Sequence, residues 1–215
     1  MTARALGRAR AARSESNAVT KDFNSSLAYA RILMQHVKVP DDRIGVLIGA
    51  GGETMREIET RAEVRLDIDS ETGSVRIETV GDPVTALKAP DIVKAIGRGF
   101  APEDALRLLE DDMMMFDIVD IEAASRNKND LRRQKGRLIG EDGRTRELMQ
   151  ELTGASVVIY GTTLAVIGGP RQVDAVREAA EMILDGAPHG AVYSFLERKR
   201  NELKHRGLEY HQFTG

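Results

Sequence analysis

Two stretches of the chain alternate apolar and polar residues, Val64 to Asp69 ("VRLDID") and Ser74 to Val80 ("SVRIETV"). The four residues between them, "SETG", suit a turn, so the pattern predicts a β-hairpin. Just upstream the period changes. Met55, Ile58 and Ala62 recur at helical spacing beside the polar Glu53, Arg56, Glu57 and Arg61, which predicts an amphipathic helix. Before that helix, "ILMQHVKVP" (32 to 40) is rich in β-branched and apolar residues and stops at Pro40, so it reads as a strand. A short apolar segment, Ile44 to Ile48, then leads into the glycine run 49 to 52. The stretch from Val84 to Ile96 is expected to close the unit as a helix.

The whole order recurs. Gly49 and Gly52 reappear as Gly140 and Gly143, an offset of 91 (140 − 49 and 143 − 52). In the second copy "MMMFDIVDIE" (113 to 122) is the strand and "LRRQKGRLIG" (131 to 140) the short helix. "GRTRELMQELTG" (143 to 154) is the next helix, stopped at Gly154. "ASVVIYG" and "LAVIGG" form a hairpin about Thr162 and Thr163. The last helix starts at Pro170 and ends at Gly186, as helices prefer. Each unit is thus β-α-loop-α-β-β-α, with Pro102 to Glu110 a joining helix and 190 to 206 a final one. A repeat in sequence implies a repeat in structure.

Composition narrows the chemistry. At 215 residues the chain accommodates two modules of about 100 residues. The absence of cysteine excludes disulfides, thiolate metal sites and cysteine nucleophiles. No apolar run reaches the roughly 20 residues of a membrane helix. His36, His189, His205 and His211 lack metal-ligand spacing, and no Ser-His-Asp order or carboxylate pair gathers around a loop. No cofactor or metal is expected. Met113, Met114, Met115 and Phe116 read as core strand.

The net charge is only −3, but it is unevenly spread. Glu103, Asp104, Glu110, Asp111, Asp112, Asp117, Asp120 and Glu122 stand against Arg107 alone, and the sign then reverses through Arg126, Lys128, Arg132, Arg133, Lys135, Arg137, Arg144 and Arg146. Separate acidic and basic regions are expected. The first thirteen residues carry four arginines and no acid, a basic arm with the look of a transit peptide.

Glycine loops after apolar segments often hold dinucleotides, and Asp67 or Asp69 stands about where a ribose-binding acid would. That fingerprint needs a third glycine at residue 54, where the chain has Thr54, and both units run on into hairpins instead of a parallel crossover. A Walker loop fails for want of a Lys-Ser or Lys-Thr closing either run. A nucleotide-dependent enzyme built on 43 to 69 and a protein-binding adaptor are the alternatives that remain.

Ile48-Gly49-Ala50-Gly51-Gly52 and Ile139-Gly140-Glu141-Asp142-Gly143, each followed by an amphipathic helix and a hairpin, resemble the I-G-x-x-G loop of the KH module, type I variant. The resemblance implies an α+β chain of two tandem type I KH modules (β-α-α-β-β-α). Each would be a three-stranded sheet with helices on one face, and a C-terminal helix would follow. Glycine lets the backbone lie against a sugar-phosphate chain, the following helix N-terminus favours phosphate, and a KH loop clamps about four nucleotides of single strand. Expected RNA contacts are therefore Gly49, Ala50, Gly51, Gly52, Gly140, Glu141, Asp142 and Gly143. Arg43, Arg56, Lys135, Arg137, Arg144 and Arg146 are the expected cations. The second loop departs from the family's neutral or basic preference at Glu141 and Asp142, and Arg146 stands where the first copy has Met55 and the family has an aliphatic residue.

The second unit and its tail "GAPHGAVYSFLERKR" resemble a narrower group, the archaeal Dim-two proteins and the eukaryotic partner-of-Nob family, over about residues 30 to 206. That resemblance implies a non-catalytic assembly factor in the cytoplasm, bound near the 3′ end of small-subunit rRNA. It would work beside a processing endonuclease and the alpha subunit of initiation factor two. The expected organisation is an arm (1 to 27), one module with its joining helix (28 to 110), a second with the final helix (111 to 206) and a tail (207 to 215). Within that final helix Val192, Phe195, Leu196 and Leu203 form an apolar stripe, expected to pack on the second module, with Arg198, Lys199, Arg200, Lys204 and Arg206 on the remainder.

Overall fold

The computed structural model describes residues 34 to 212, with side chains described to residue 204. The expected N-terminal arm, the first six residues of the expected first module (28 to 33) and the last three residues of the tail lie outside them, as do the side chains of His205, Arg206 and His211. The first unit runs β1 (Met34–Lys38), α1 (Asp41–Ile48), a single turn (Ala50–Gly52), α2 (Glu53–Arg61), β2 (Val64–Asp69), β3 (Ser74–Thr79), α3 (Pro83–Ala86) and α4 (Ala89–Gly97). A joining helix α5 (Pro102–Leu106) and a turn of 3-10 helix (Arg107–Leu109) follow. The second unit repeats the order as β4 (Met115–Asp120), α6 (Lys128–Ile139), the turn Glu141–Gly143, α7 (Arg144–Thr153), β5 (Ser156–Tyr160), β6 (Thr163–Gly168) and α8 (Pro170–Leu184). The chain closes with α9 (His189–Gln212), which passes the expected end at 206.

Both sheets are three-stranded and antiparallel, in the orders β1-β3-β2 and β4-β6-β5. In the first, alternation does what it predicts: Val37, Val64, Leu66, Val75 and Ile77 are buried under the helices, while His36, Arg65, Asp67 and Arg76 face out. Asp67 and Arg76 stand opposite each other across the ladder and form an ion pair at 2.7 Å. Strand β6 behaves differently, since all six of its residues are buried. Leu164 and Val166 belong to the core of the second unit, whereas Ala165 and Ile167 join that of the first. The second sheet therefore carries its own helices on one face and the first unit on the other. Phe116 meets Phe100 edge-on across this seam, ring centroids 6.4 Å apart. Arg107 donates to Ser156 Oγ at 3.0 Å, and the Tyr160 hydroxyl donates to the Asp42 carboxylate.

Three details correct the sequence reading. The expected helix from Val84 to Ile96 is broken between Ala86 and Ala89. Pro90 has no amide to continue the ladder and is tolerated only in a first helical turn, so a new helix starts there. The second hairpin turns at Gly161 and Thr162, with Tyr160 paired to Thr163, because Gly161 supplies the positive φ (56°) that a two-residue turn needs. Met113 precedes its strand and is 63% exposed, so of the methionine run only Met114, with Phe116, packs on the core. In α9, Val192, Phe195 and Leu196 are buried against the second unit as the stripe predicts, whereas Leu203 is only half-buried and lies outside that core.

Candidate nucleic-acid interface

The two glycine loops adopt one conformation. Gly49 (φ 73°, ψ 177°) and Gly140 (φ 79°, ψ 172°) end α1 and α6 in a region essentially closed to residues with a Cβ. A Cβ on either would stand 2.3 Å from the hydroxyl of Thr54 or Thr145, so these two positions require glycine on both counts. Gly51 (59°, 23°) corresponds to Asp142 (51°, 25°), a left-handed residue that aspartate tolerates. Gly52 and Gly143, at φ 81° and 82°, lead directly into α2 and α7.

Each loop turns on a hydrogen bond from the last glycine amide to the first glycine carbonyl, 3.3 Å in both copies. The amides of Ala50 and Gly51, and of Glu141 and Asp142, are left without a backbone acceptor, and these four residues are exposed. Donors at a helix N-terminus are what an anion meets there. The loops are open, neither buried under protein nor closed by a side chain.

Each following helix flanks the edge strand of its sheet, and the same contact ties them in both units. Glu59 accepts from the Leu66 amide at 2.8 Å, and Gln150, 91 residues on, accepts from the Val157 amide at 2.9 Å. Ile48, Met55 and Ile68 are half-buried on the first core along this gap, giving it an apolar floor. In the second unit Ile139, Arg146 and Ile159 hold those places. Behind the second loop, Thr145 shares a 2.8 Å hydrogen bond with the Tyr193 hydroxyl of α9. Thr54, Thr145, Glu59, Gln150 and Tyr193 are absent from the sequence-derived site. The offset of 91 was the available signal for the first four.

The expected cations do not all reach the loops. Arg43 donates to the carbonyls of Ile96 (2.8 Å) and Phe100 (2.6 Å) at the end of α4, and its guanidinium lies 5.9 Å from the Tyr160 ring centre. Arg137 donates to the carbonyls of Ile183 and Ala187 at the end of α8. Both cap the negative ends of helices. Arg144 is exposed, within 3.9 Å of Glu147 and 3.7 Å of Glu151. Lys135 and Arg56 have no side-chain partner, and Arg56 Nη1 lies 3.5 Å from where a Gly52 Cβ would stand. Arg146 lies against Gly143 in the same way, at 3.7 Å. Among the described residues no group of three or more His, Cys, Asp or Glu is placed to hold a metal, and no helix is long and apolar enough to cross a membrane.

Comparison with known proteins agrees with this geometry. A KH domain model matches residues 34–95, and a model described as a eukaryotic-type KH domain (KH-domain type I) matches 115–201. A KH domain-containing protein of Methanocaldococcus jannaschii is 44% identical over 176 residues, which is 80% of this chain and 77% of that protein. The pre-rRNA-processing protein pno1 of Aspergillus fumigatus is 33% identical over 150 residues, 68% of this chain but only 59% of its own length. The crystal structure of Dim2p from Pyrococcus horikoshii OT3 superposes with a TM-score of 0.71 at 46% identity, covering 77% of this chain and 98% of that one. A chain from the a/eIF2alpha-aDim2p-rRNA complex of the same organism gives 0.73 at 45% identity, covering 79% and 94%.

Proposed function

This chain belongs to the family of the archaeal Dim2 and eukaryotic Pno1 proteins, tandem KH chains, and on that premise we propose that it binds single-stranded RNA in small-subunit ribosome assembly. Its target is the 3′ region of small-subunit rRNA. It performs no chemistry on that RNA and acts in the cytoplasm. Its partners are the alpha subunit of initiation factor two and an rRNA-processing endonuclease. The working units are residues 28 to 110 and 111 to 206. The fungal relatives are named for pre-rRNA processing, and a Pyrococcus relative occurs in a complex with a/eIF2alpha and rRNA, which supports the reading.

The observation that carries it is the pair of exposed loops with matched dihedrals, each opening a helix beside an edge strand. Backbone passes along Gly49 to Gly52 and Gly140 to Gly143, bases rest in the gap toward β2 and β5, and Arg56, Lys135, Arg144 and Arg146 supply positive charge. Titration of a 3′-terminal small-subunit rRNA strand at several salt concentrations tests this, with the duplex as control. Single-strand preference and a log-log slope near −0.7 per phosphate neutralised are expected. Saturable NAD or ATP binding without RNA affinity would overturn it, as would binding to protein alone.

A further inference from the structure

The floors of the two grooves differ in chemistry. Residues 55 and 146 (146 − 55 = 91) stand four before Glu59 and Gln150, the side chains that reach the edge-strand amides. Residues four apart share a helix face, so Met55 and Arg146 both face the gap between glycine loop and edge strand. Met55 lines it with apolar surface packed on the first core. Arg146 holds the equivalent position in the second unit, with Nη2 3.7 Å from where a Gly143 Cβ would stand.

That guanidinium is unsatisfied within the protein. Its Nε is covered and has no hydrogen-bond partner, although buried polar atoms in folded proteins nearly always have one. The nearby carboxylates do not take it up: Glu147 and Glu151 lie beside Arg144, and Glu141 and Asp142 point no hydrogen bond at it. The buried Nε is itself closed to a ligand, but the terminal nitrogens of this half-buried arginine, placed where its twin is methionine, also have no acceptor in the protein and can meet one from outside.

We propose that Arg146 is a specificity-determining residue of the second groove, its guanidinium fork donating to the O6 and N7 acceptors of a guanine base that the first groove, floored by Met55, reads only by shape. This rests on the RNA-binding reading above. Guanine presents two acceptors in one plane at the spacing of the fork. A phosphate offers acceptors too, and Arg146 Nη2 lies 3.7 Å from where a Gly143 Cβ would stand, so the experiment has to separate a base contact from a backbone contact.

The test uses the full chain and short uridine-rich RNAs carrying one guanine, one 7-deazaguanine, which lacks the N7 acceptor, or one adenine. Fluorescence anisotropy of the wild type is expected to favour guanine over both by about tenfold. Arg146→Met, which restores the residue of the first copy, should abolish that preference while melting at the wild-type temperature. Arg146→Lys keeps the charge without the fork, so it should keep the salt slope and lose the preference. A uniform loss for all three RNAs in Arg146→Met, with the slope smaller by about 0.7, means a phosphate contact and overturns the proposal. Unchanged discrimination overturns it as well. A wild type that binds none of these strands, nor the rRNA strand, defeats the RNA-binding reading itself.

Discussion

Replacing Glu141 by Ala and Asp142 by Gly gives the second loop the sequence of the first, and it should tighten RNA binding. Both carboxylates are exposed and neither has a hydrogen-bond or ion-pair partner, so nothing in the protein neutralises them. A carboxylate about 6 Å from a phosphate repels it by roughly 0.7 kcal/mol in water and about 3 at an effective dielectric of 20. Full exposure places both near the lower figure. Roughly threefold per carboxylate follows, about tenfold for the pair at low salt. The gain should shrink as salt rises, because the Debye length falls to about 8 Å at 0.15 M. Folding is a clean control, since the Asp142 dihedrals already match those of Gly51. Anisotropy titrations of the rRNA strand across a salt series, beside the melting temperature of each variant, make the measurement. If affinity falls on removing the carboxylates, they are contacts to the RNA and the repulsion argument is wrong. If nothing changes, no phosphate passes that loop.

Other substitutions separate structural from binding roles. Gly140→Ala forces a Cβ to 2.6 Å from the Thr145 amide nitrogen at φ 79° and should lower unfolding free energy by about 2 kcal/mol or more. Gly51→Ala, in open space, should lower it by about 1 in the same urea titration. Arg137→Ala removes the cap on α8 and should lower the melting temperature, while RNA affinity at moderate salt stays within about twofold. Tyr160→Phe tests the tie between units through pH. The hydrogen bond to Asp42, first, and desolvation hold the Tyr160 phenol above its ordinary value, so the folded state keeps that proton more tightly than the unfolded chain. The resulting stability is present below about pH 10 and lost as pH rises through the folded value. Melting curves of wild type and variant should therefore converge on the alkaline side. A constant gap to high pH would contradict the assignment.

What could be read from the chain alone follows the range of the interactions. The period of two in 64 to 69 and 74 to 79 reports burial on one face of a sheet, and that face is the core of its own unit. The unbroken apolar run of β6 signals burial on both faces, but no local pattern says that the second cover is the first unit. Arg43 and Arg137 were legible as cations near loops, yet what fixes them are carbonyls 46 to 57 residues away. Position-by-position comparison of the two copies would have found Thr54 with Thr145 and Glu59 with Gln150, each pair 91 apart. The break at Leu87 and Lys88 does not show in the apolar period of 84 to 96, and its one local signal is Pro90, which suits a first helical turn and not a helix interior.

Amide resonances followed during titration with the single-stranded 3′ rRNA fragment probe the central claim most directly. The account requires the largest shifts at Ala50 to Glu53 and at Glu141 to Arg144, in the two turns together with the helix starts they open. Tight binding of that strand with both turns silent, and the shifts gathered on another surface, would contradict it.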